Sequence, residues 1–485
     1  MKKIFSLILA VLLAFTIGLI GGCNRNIDDT PKDTKDDMEK EMAYPDNPQF
    51  LAFDQLMGQR NYFEQKEMYA HDPSIFQDTD GTFYVFSTHG NGDFQVQIRK
   101  STDLINFETL PCAISNDELT EGKNYTGQTN VDVWAPDVIK GSDGKYWLYY
   151  SMSTFGSQTS YIGLAKADKV TGPYYHDSMV ITSKQGDSGP NCIDPNIIKD
   201  PKSQKLYMVY GSFAGGIYIK ELDASTGRAL DNNFGVRLVG RNNAWMAIEG
   251  PYIVYNPKFK NYYLFLSYGS LSSDYNIRVA RSSKIDGEYV DADGNNLSLM
   301  TDLSQNYGTK ILGGYAFTQD SKNELKNGWM APGHNSVINT SKGWFLVHHV
   351  RTYRYGEGPF MMQVRKMVFN EDGWPVVSPF RYAGELSNTY TSEKIAGQYQ
   401  FIFQGKDTSS IAKTAVLVNL EKDGHVSSDE FSGRYSVAKD GKMTMYIGDI
   451  VYKGFIQATW DNDANQKTLA ISLLGAGESV IARRI

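Results

Sequence analysis

Asp194-Pro195-Asn196-Ile197-Ile198, followed by Leu206-Tyr207-Met208-Val209-Tyr210-Gly211-Ser212, sets out a unit of a carboxylate, a proline, one apolar strand, a turn and a second strand. The unit recurs on both sides of this copy. It reads His71-Asp72-Pro73-Ser74-Ile75 then Phe83-Tyr84-Val85-Phe86-Ser87, and Ala135-Pro136-Asp137-Val138-Ile139 then Tyr146-Trp147-Leu148-Tyr149-Tyr150-Ser151. It returns as Glu249-Gly250-Pro251-Tyr252-Ile253 before Tyr262-Tyr263-Leu264-Phe265-Leu266-Ser267, and more loosely as His334-Asn335-Ser336-Val337-Ile338 before Trp344-Phe345-Leu346-Val347. Asp80-Gly81, Asp143-Gly144 and Lys342-Gly343 lie between paired runs and tolerate the positive φ that closes a hairpin. With Pro73, Pro136, Pro195, Pro251 and Asn335 as equivalent positions, the steps are about 63, 59, 56 and 84 residues, room for four short strands each. The runs are nearly continuous in apolar residues, which suits strands buried on both faces. The expectation is an all-β fold: a five-bladed β-propeller over residues 60–383.

If each proline-bearing start is the mouth of an innermost strand, Asp72, Asp194 and Glu249 come from three blades and converge on one end of one channel. Convergent carboxylates repel, so a purely structural ring is better built from Ser, Asn or Gly. Asp137 also stands at a blade start, where it can equally cap its own turn.

The rest of the chain frames this array. Lys2-Lys3, an apolar run from Ile4 to Ile20 and then Gly21-Gly22-Cys23 have the form of an export signal. Ile20-Gly21-Gly22-Cys23 further resembles a bacterial lipobox, with residues 1–22 removed and a lipid placed on Cys23. A plainly cleaved signal is the alternative; the run is short for a membrane span. Residues 23–59 read as a flexible tether and lead-in, polar and charged to about Ala43. Beyond Gly384, alternating runs such as Thr414-Ala415-Val416-Leu417-Val418 and Leu469-Ala470-Ile471-Ser472-Leu473 predict a second domain over 384–485, a small β-barrel or sandwich.

A net charge of −7 and a pI near 5.6 argue against nucleic acid as a partner and suit a neutral ligand. The 31 tyrosines and 7 tryptophans offer faces on which sugars stack, although most aromatics of a propeller are core. The cysteines, Cys23, Cys112 and Cys192, show neither a zinc spacing nor a disulfide framework. No Walker loop, dinucleotide fingerprint, nucleophile elbow or zinc-protease motif is present.

Glycoside hydrolysis needs a protonated acid at the leaving oxygen and a second carboxylate, set far enough away to admit a water when configuration inverts. A third carboxylate nearby raises the acid's pKa by like charge. His71-Asp72-Pro73, Trp134-Ala135-Pro136-Asp137-Val138, Ile193-Asp194-Pro195-Asn196, Ile248-Glu249-Gly250-Pro251-Tyr252 and Gly333-His334-Asn335-Ser336, spread over about 265 residues, together resemble the arabinanase branch of glycoside hydrolase family 43. The long segment from Asp286 to Trp329 and the C-terminal domain resemble the two-domain extracellular members. The resemblance implies an inverting endo-α-1,5-L-arabinanase, with Asp72 as general base, Glu249 as general acid and Asp194 as modulator of the acid's pKa. It also implies one calcium ion, held at His334 largely through ordered water. Read without the resemblance, His334 is a hydrogen-bonded core histidine.

Candidate substrate contacts are Asp72 and Asp194 themselves, Trp134 and Phe213 as sugar platforms or inter-blade packing, Asn191 and Ser212 as partners of furanose hydroxyls, and Gly156, whose loop resembles one where the family's backbone approaches substrate. The expected partners are arabinan, including pectin side chains, and a membrane through the lipid on Cys23. A monomer at the bacterial surface or in the periplasm, or otherwise secreted, is expected. The alternatives are an exo-acting arabinofuranosidase or β-xylosidase of the same family, a retaining fructan-cleaving propeller, and a surface glycan-binding propeller without catalysis.

Overall fold

Each proline-bearing unit opens an antiparallel meander in the computed structural model, which describes residues 41–50, 70–88, 95–240, 246–319, 325–352 and 360–485. The export signal and Cys23 lie outside the described residues. The first meander is β1 (His71–Gln77), β2 (Phe83–Thr88), β3 (Gln97–Ser101) and β4 (Glu108–Leu110). The second is β5 (Trp134–Lys140), β6 (Tyr146–Met152), β7 (Ser160–Ala167) and β8 (Tyr175–Ser183), and the third is β9 (Asn196–Lys199), β10 (Leu206–Tyr210), β11 (Ile217–Leu222) and β12 (Val236–Val239). The fourth is β13 (Ile248–Asn256), β14 (Asn261–Tyr268), β15 (Asn276–Ser282) and β16 (Thr309–Leu312). A further sheet contains β17 (Tyr315–Gln319), β18 (Leu325–Thr340), β19 (Gly343–Thr352), β20 (Met361–Phe369) and β21 (Pro375–Val377). The proline-bearing strands contact one another in the order β1, β5, β9, β13, a propeller-like arrangement about a common axis.

Apolar surface between sheets holds the arrangement together. β2 and β6 are buried along their whole lengths, as continuous apolar runs require. Phe86 and Ile98 pack with Leu148 and Tyr150; Trp147 and Ile162 with Met208 and Tyr210; Val209 and Ile219 with Leu264 and Leu266. Each fully buried side chain of this kind contributes about 1.5–3 kcal/mol.

The proline-bearing strands break register at one equivalent place. Pairing skips between His71 and Ser74, Trp134 and Asp137, Glu249 and Tyr252, and Gly333 and Ser336. The residue before Pro73, Pro136, Pro195, Pro251 or Asn335 has a positive φ: 49° at Asp72, 40° at Ala135, 60° at Asp194, 57° at Gly250 and 44° at His334. A non-glycine residue in this region is strained by about 1–3 kcal/mol, and a residue before proline is ordinarily extended. The bulge is what turns these side chains away from the regular strand alternation.

Hydrogen bonds between meanders hold the strained units. The Ala135 N–H donates to Thr88 Oγ1 (2.8 Å), Asp194 N–H to Ser151 Oγ (3.0 Å), His334 N–H to Ser267 Oγ (2.7 Å) and Asp72 N–H to His349 Nδ1 (3.2 Å). In the third meander Gly211 stands where the acceptor side chain would be, and Asp194 Oδ2 itself accepts from the Gly250 N–H (3.1 Å). One step deeper, Asp137 accepts from Ser74 Oγ, from Asn196 Nδ2 (3.1 Å) and from Ile197 N–H (2.6 Å). Asp137 is therefore a tie between three meanders and not a cap of its own turn; burial pushes its carboxyl up to about 6 against the pull of these donors.

The C-terminal domain is a closed barrel. Its strands are β22 (Gly397–Phe403), β24 (Val416–Leu420), β25 (His425–Ser427), β26 (Ser432–Val437), β27 (Lys442–Ile447), β28 (Ile450–Asp461), β29 (Gln466–Gly475) and β30 (Glu478–Arg484); β30 pairs with both β29 and β22 and so completes the ring. Closure removes both sheet edges and excludes the sandwich. A short β23 (Lys413–Thr414) pairs in parallel with β17, and β16 pairs in parallel with β30. Behind that seam the buried Lys310 Nζ donates to the carbonyls of Gln404 and Asp407, both at 2.8 Å.

Part of the expected flexible lead-in is docked. Ala43 exchanges hydrogen bonds of 2.8 Å with Asn388, Met42 and Tyr44 pack against the barrel core, and Phe50 lies 3.6 Å from the Arg381 guanidinium. Two apolar or aromatic anchors within three residues explain why the polar tether stops where it does. Cys192 is a buried free thiol, so Cys112 and Cys192 are not bridged to each other.

Candidate active site

Asp72 and Asp194 sit at the bulge position itself, Glu249 one residue before it and His334 at it, so one repeated distortion delivers all four to the mouth of the axis. Asp72 Oδ2 accepts from Thr88 Oγ1 at 2.5 Å. Its Oδ1 lies 3.0 Å from His334 Nδ1 and 3.1 Å from His71 Nε2. Burial would raise its pKa, but the charges of His334, His71 and His349 outweigh it and hold the carboxyl well below the usual range. Asp72 is thus kept ionised.

Glu249 and Asp194 are displaced the other way. Burial raises Glu249; the hydrogen bonds from Ser212 Oγ to Oε2 (2.8 Å) and from Tyr275 OH to Oε1 (2.8 Å), with His334, pull it back, and Asp72 pushes it up, for a net rise. Burial likewise raises Asp194, opposed by His334 and reinforced by Glu249 and Asp72. For His334, burial lowers the pKa, yet Asp72, Asp194 and Glu249 together lift it to about 9. Carboxyls pushed apart in this manner are what separate acid and base roles at one pH.

Other predicted residues fall around this core. Ser212 is committed to Glu249, and Asn191 pairs with it as an isolated bridge while its Oδ1 accepts from Ser160 Oγ at 2.5 Å. Phe213, half-buried with φ 53°, follows Ser212 directly, and its N–H donates to Ile248 O at 2.9 Å. Trp134 is half-buried at the start of β5, paired with Ser151. Gly156 occupies the β6–β7 connection with φ 79° and open space where a Cβ would be.

Four neighbours escaped the sequence reading as site residues: His71, Thr88, Tyr275 and His349. Thr88 had a partial signal, since several second strands end in a hydroxyl residue. Tyr275 and His349 had none; their rings stack at 5.6 Å and 15°.

His334 suits a cation by its donor chemistry. Its Nδ1 is engaged by Asp72, and a metal that displaced the imidazolium's other proton would meet the second nitrogen in the tautomer that the carboxylate fixes. Calcium takes about six to eight oxygen ligands, so a single imidazole fits it only within a largely hydrated shell. His71, Asp72 and His349 also bring donor atoms within 4.8 Å of one another, but two imidazoles to one carboxylate is not a calcium set.

Residues 66–375 match Glycosyl hydrolases family 43, and residues 379–482 match a C-terminal lipocalin-like domain. The chain is 37% identical over 452 residues to the extracellular endo-alpha-(1->5)-L-arabinanase 2 of Bacillus subtilis (strain 168), covering 86% of this chain and 92% of the relative. It is 37% identical over 455 residues to the extracellular endo-alpha-(1->5)-L-arabinanase of Thermotoga petrophila, covering 86% and 93%. The crystal structure of endo-1,5-alpha-L-arabinanase from Thermotoga petrophila RKU-1 superposes with a TM-score of 0.78 at 36% identity, over 86% of this chain and 98% of that one. Both matched ranges together span most of the chain: it belongs to glycosyl hydrolase family 43, in the form that carries a C-terminal lipocalin-like domain.

Proposed function

We propose that this chain hydrolyses α-1,5-linked L-arabinan by endo attack with inversion of the anomeric centre. The observation that carries the reading is the division of the carboxyls: Asp72 is held ionised among imidazoles, whereas Glu249 and Asp194 are held towards the neutral form. Glu249 gives its proton to the leaving oxygen as the glycosidic C–O bond breaks. Asp72 takes a proton from the water whose oxygen bonds to the anomeric carbon from the opposite face, and exchange with solvent resets both groups. Ser212 and Tyr275 stabilise the carboxylate that Glu249 becomes, which eases proton release from a group that burial would otherwise keep too weak an acid. Asp194 modulates the acid: the two buried carboxyls are coupled, so ionisation of either one makes loss of the other's proton harder.

The site lies on a five-bladed propeller. β18 to β21 serve as the fifth blade; contact of β18 with both β13 and β1, and packing of Ile75 and Val85 with Phe345 and Val347, support closure. His334 would hold a hydrated calcium ion, whose positive charge would favour the ionised form of the base Asp72, while burial keeps Glu249 protonated against it. Asp72, Asp194, Trp134, Gly156, Asn191 and Phe213 form the substrate cleft. The relatives named above are extracellular, which supports export; a lipid on Cys23 then anchors the monomeric enzyme.

Asp72→Ala and Glu249→Ala, each folded by circular dichroism, should lose about 10²–10⁴-fold in kcat on linear arabinan. NMR at early times should show the inverted anomer first. A retained anomer overturns the mechanism, and near-wild-type turnover of either variant overturns its assignment.

A further inference from the structure

The C-terminal barrel has no carboxylate or histidine in the catalytic cluster, yet a continuous path of contacts runs from it to the general acid. The path begins at Asp463, in the turn between β28 and β29. Its N–H donates to Asp461 Oδ1 (2.9 Å), and Asp461 Oδ2 is held by Arg483 at 2.7 Å, so the turn is rigidly tied to the barrel. Asp463 Oδ1 accepts from Trp329 Nε1 at 3.0 Å.

Trp329 belongs to β18 of the propeller and is 1% exposed. The next residues of that strand, Met330 and Ala331, form a small buried cluster with Tyr275. Gly333 lies flat under the same ring: a Cβ there would come within 1.8 Å of Tyr275 Cδ1. Tyr275 OH then donates to Glu249 Oε1 at 2.8 Å. The segment from Trp329 to Gly333 is therefore the wall against which the tyrosine stands, and Ala331, with a φ of 51°, is strained within it.

We infer that the barrel is a positioning element of the active site: Asp463 fixes Trp329, and through it the β18 wall that sets Tyr275 and hence the orientation of Glu249. This rests on Glu249 being the general acid. A hydroxyl that loses its wall still hydrogen-bonds, but to a carboxyl no longer aimed at the leaving oxygen. Misplacement of that kind lowers the rate of the chemical step and leaves substrate binding alone.

The test uses the full-length enzyme on linear arabinan. Asp463→Ala and Trp329→Phe, the latter keeping an apolar ring, should each reduce kcat by about tenfold with KM within about twofold of wild type, the mark of an interaction that acts in the transition state. Asp463→Asn keeps an oxygen acceptor for the indole and should recover most of the rate. In a Tyr275→Phe background, Asp463→Ala should lower kcat no further, because the path it acts through is already cut. Folded Asp463→Ala and Trp329→Phe enzymes with wild-type kcat overturn the inference, as do losses that multiply in full with that of Tyr275→Phe. Should Asp463→Ala not fold, Trp329→Phe and the Tyr275→Phe, Trp329→Phe pair give the same decision. Glu249→Gln is run alongside: high activity there overturns the acid assignment and this inference with it, whereas an inactive Glu249→Gln beside a wild-type Trp329→Phe overturns this inference alone.

Discussion

Ser212 illustrates how a side chain's role is decided by what it touches. Its hydroxyl, a candidate partner of a furanose hydroxyl, donates to Glu249. A donor to a carboxylate favours the ionised form, so Ser212→Ala should move the alkaline limb of the kcat/KM profile to higher pH, because that limb marks loss of the acid's proton. A limb that stays in place or moves down would assign it to another group. His334 is tested through the cation: chelation should slow hydrolysis of linear arabinan, calcium should restore it, and His334→Ala should behave as the chelated enzyme. A metal-free His334→Ala enzyme as fast as wild type would leave His334 as a hydrogen-bond partner of Asp72 only. The three acids were legible because each stands one or two residues before a repeated proline; Tyr275 and His349 were not, because they reach the site from other strands or connections and only register places them there.

At the scale of the strand, the bulge is the unit that matters. Ser151→Ala removes the acceptor of the Asp194 N–H and leaves a buried donor unpaired, which costs about 1–3 kcal/mol. Urea unfolding should show that loss, with a fall in turnover greater than for a hydroxyl removed elsewhere on β6; unchanged stability would mean the strained turn at Asp194 holds itself. The alignment of Pro73, Pro136, Pro195, Pro251 and Asn335 anticipated the equivalent backbone positions, since the residue directly before each of them takes a positive φ. What alternation could not convey was whether the C-terminal strands close. That depends on β30 pairing with β22 across some eighty intervening residues, and a barrel and a sandwich share the same two-residue period.

For the molecule as a whole, Ala43 is tied to Asn388 and Met42 and Tyr44 pack on the barrel core, so the anchor proposed at Cys23 would act through the C-terminal domain. Cys23→Ser should move active enzyme from the membrane fraction to the soluble one after export; wild-type enzyme already soluble there would leave an ordinary cleaved signal. The repeated bulge has a wider consequence. One backbone pose presents aspartate twice, alanine, glycine and histidine once each, at Asp72, Asp194, Ala135, Gly250 and His334. The ring works like an indexed tool turret whose stations share one mount, and Ala135 is a blank station. A new functional group can be fitted there without machining a new mount, so chemistry on this scaffold can diversify one station at a time while the turret itself stays the same.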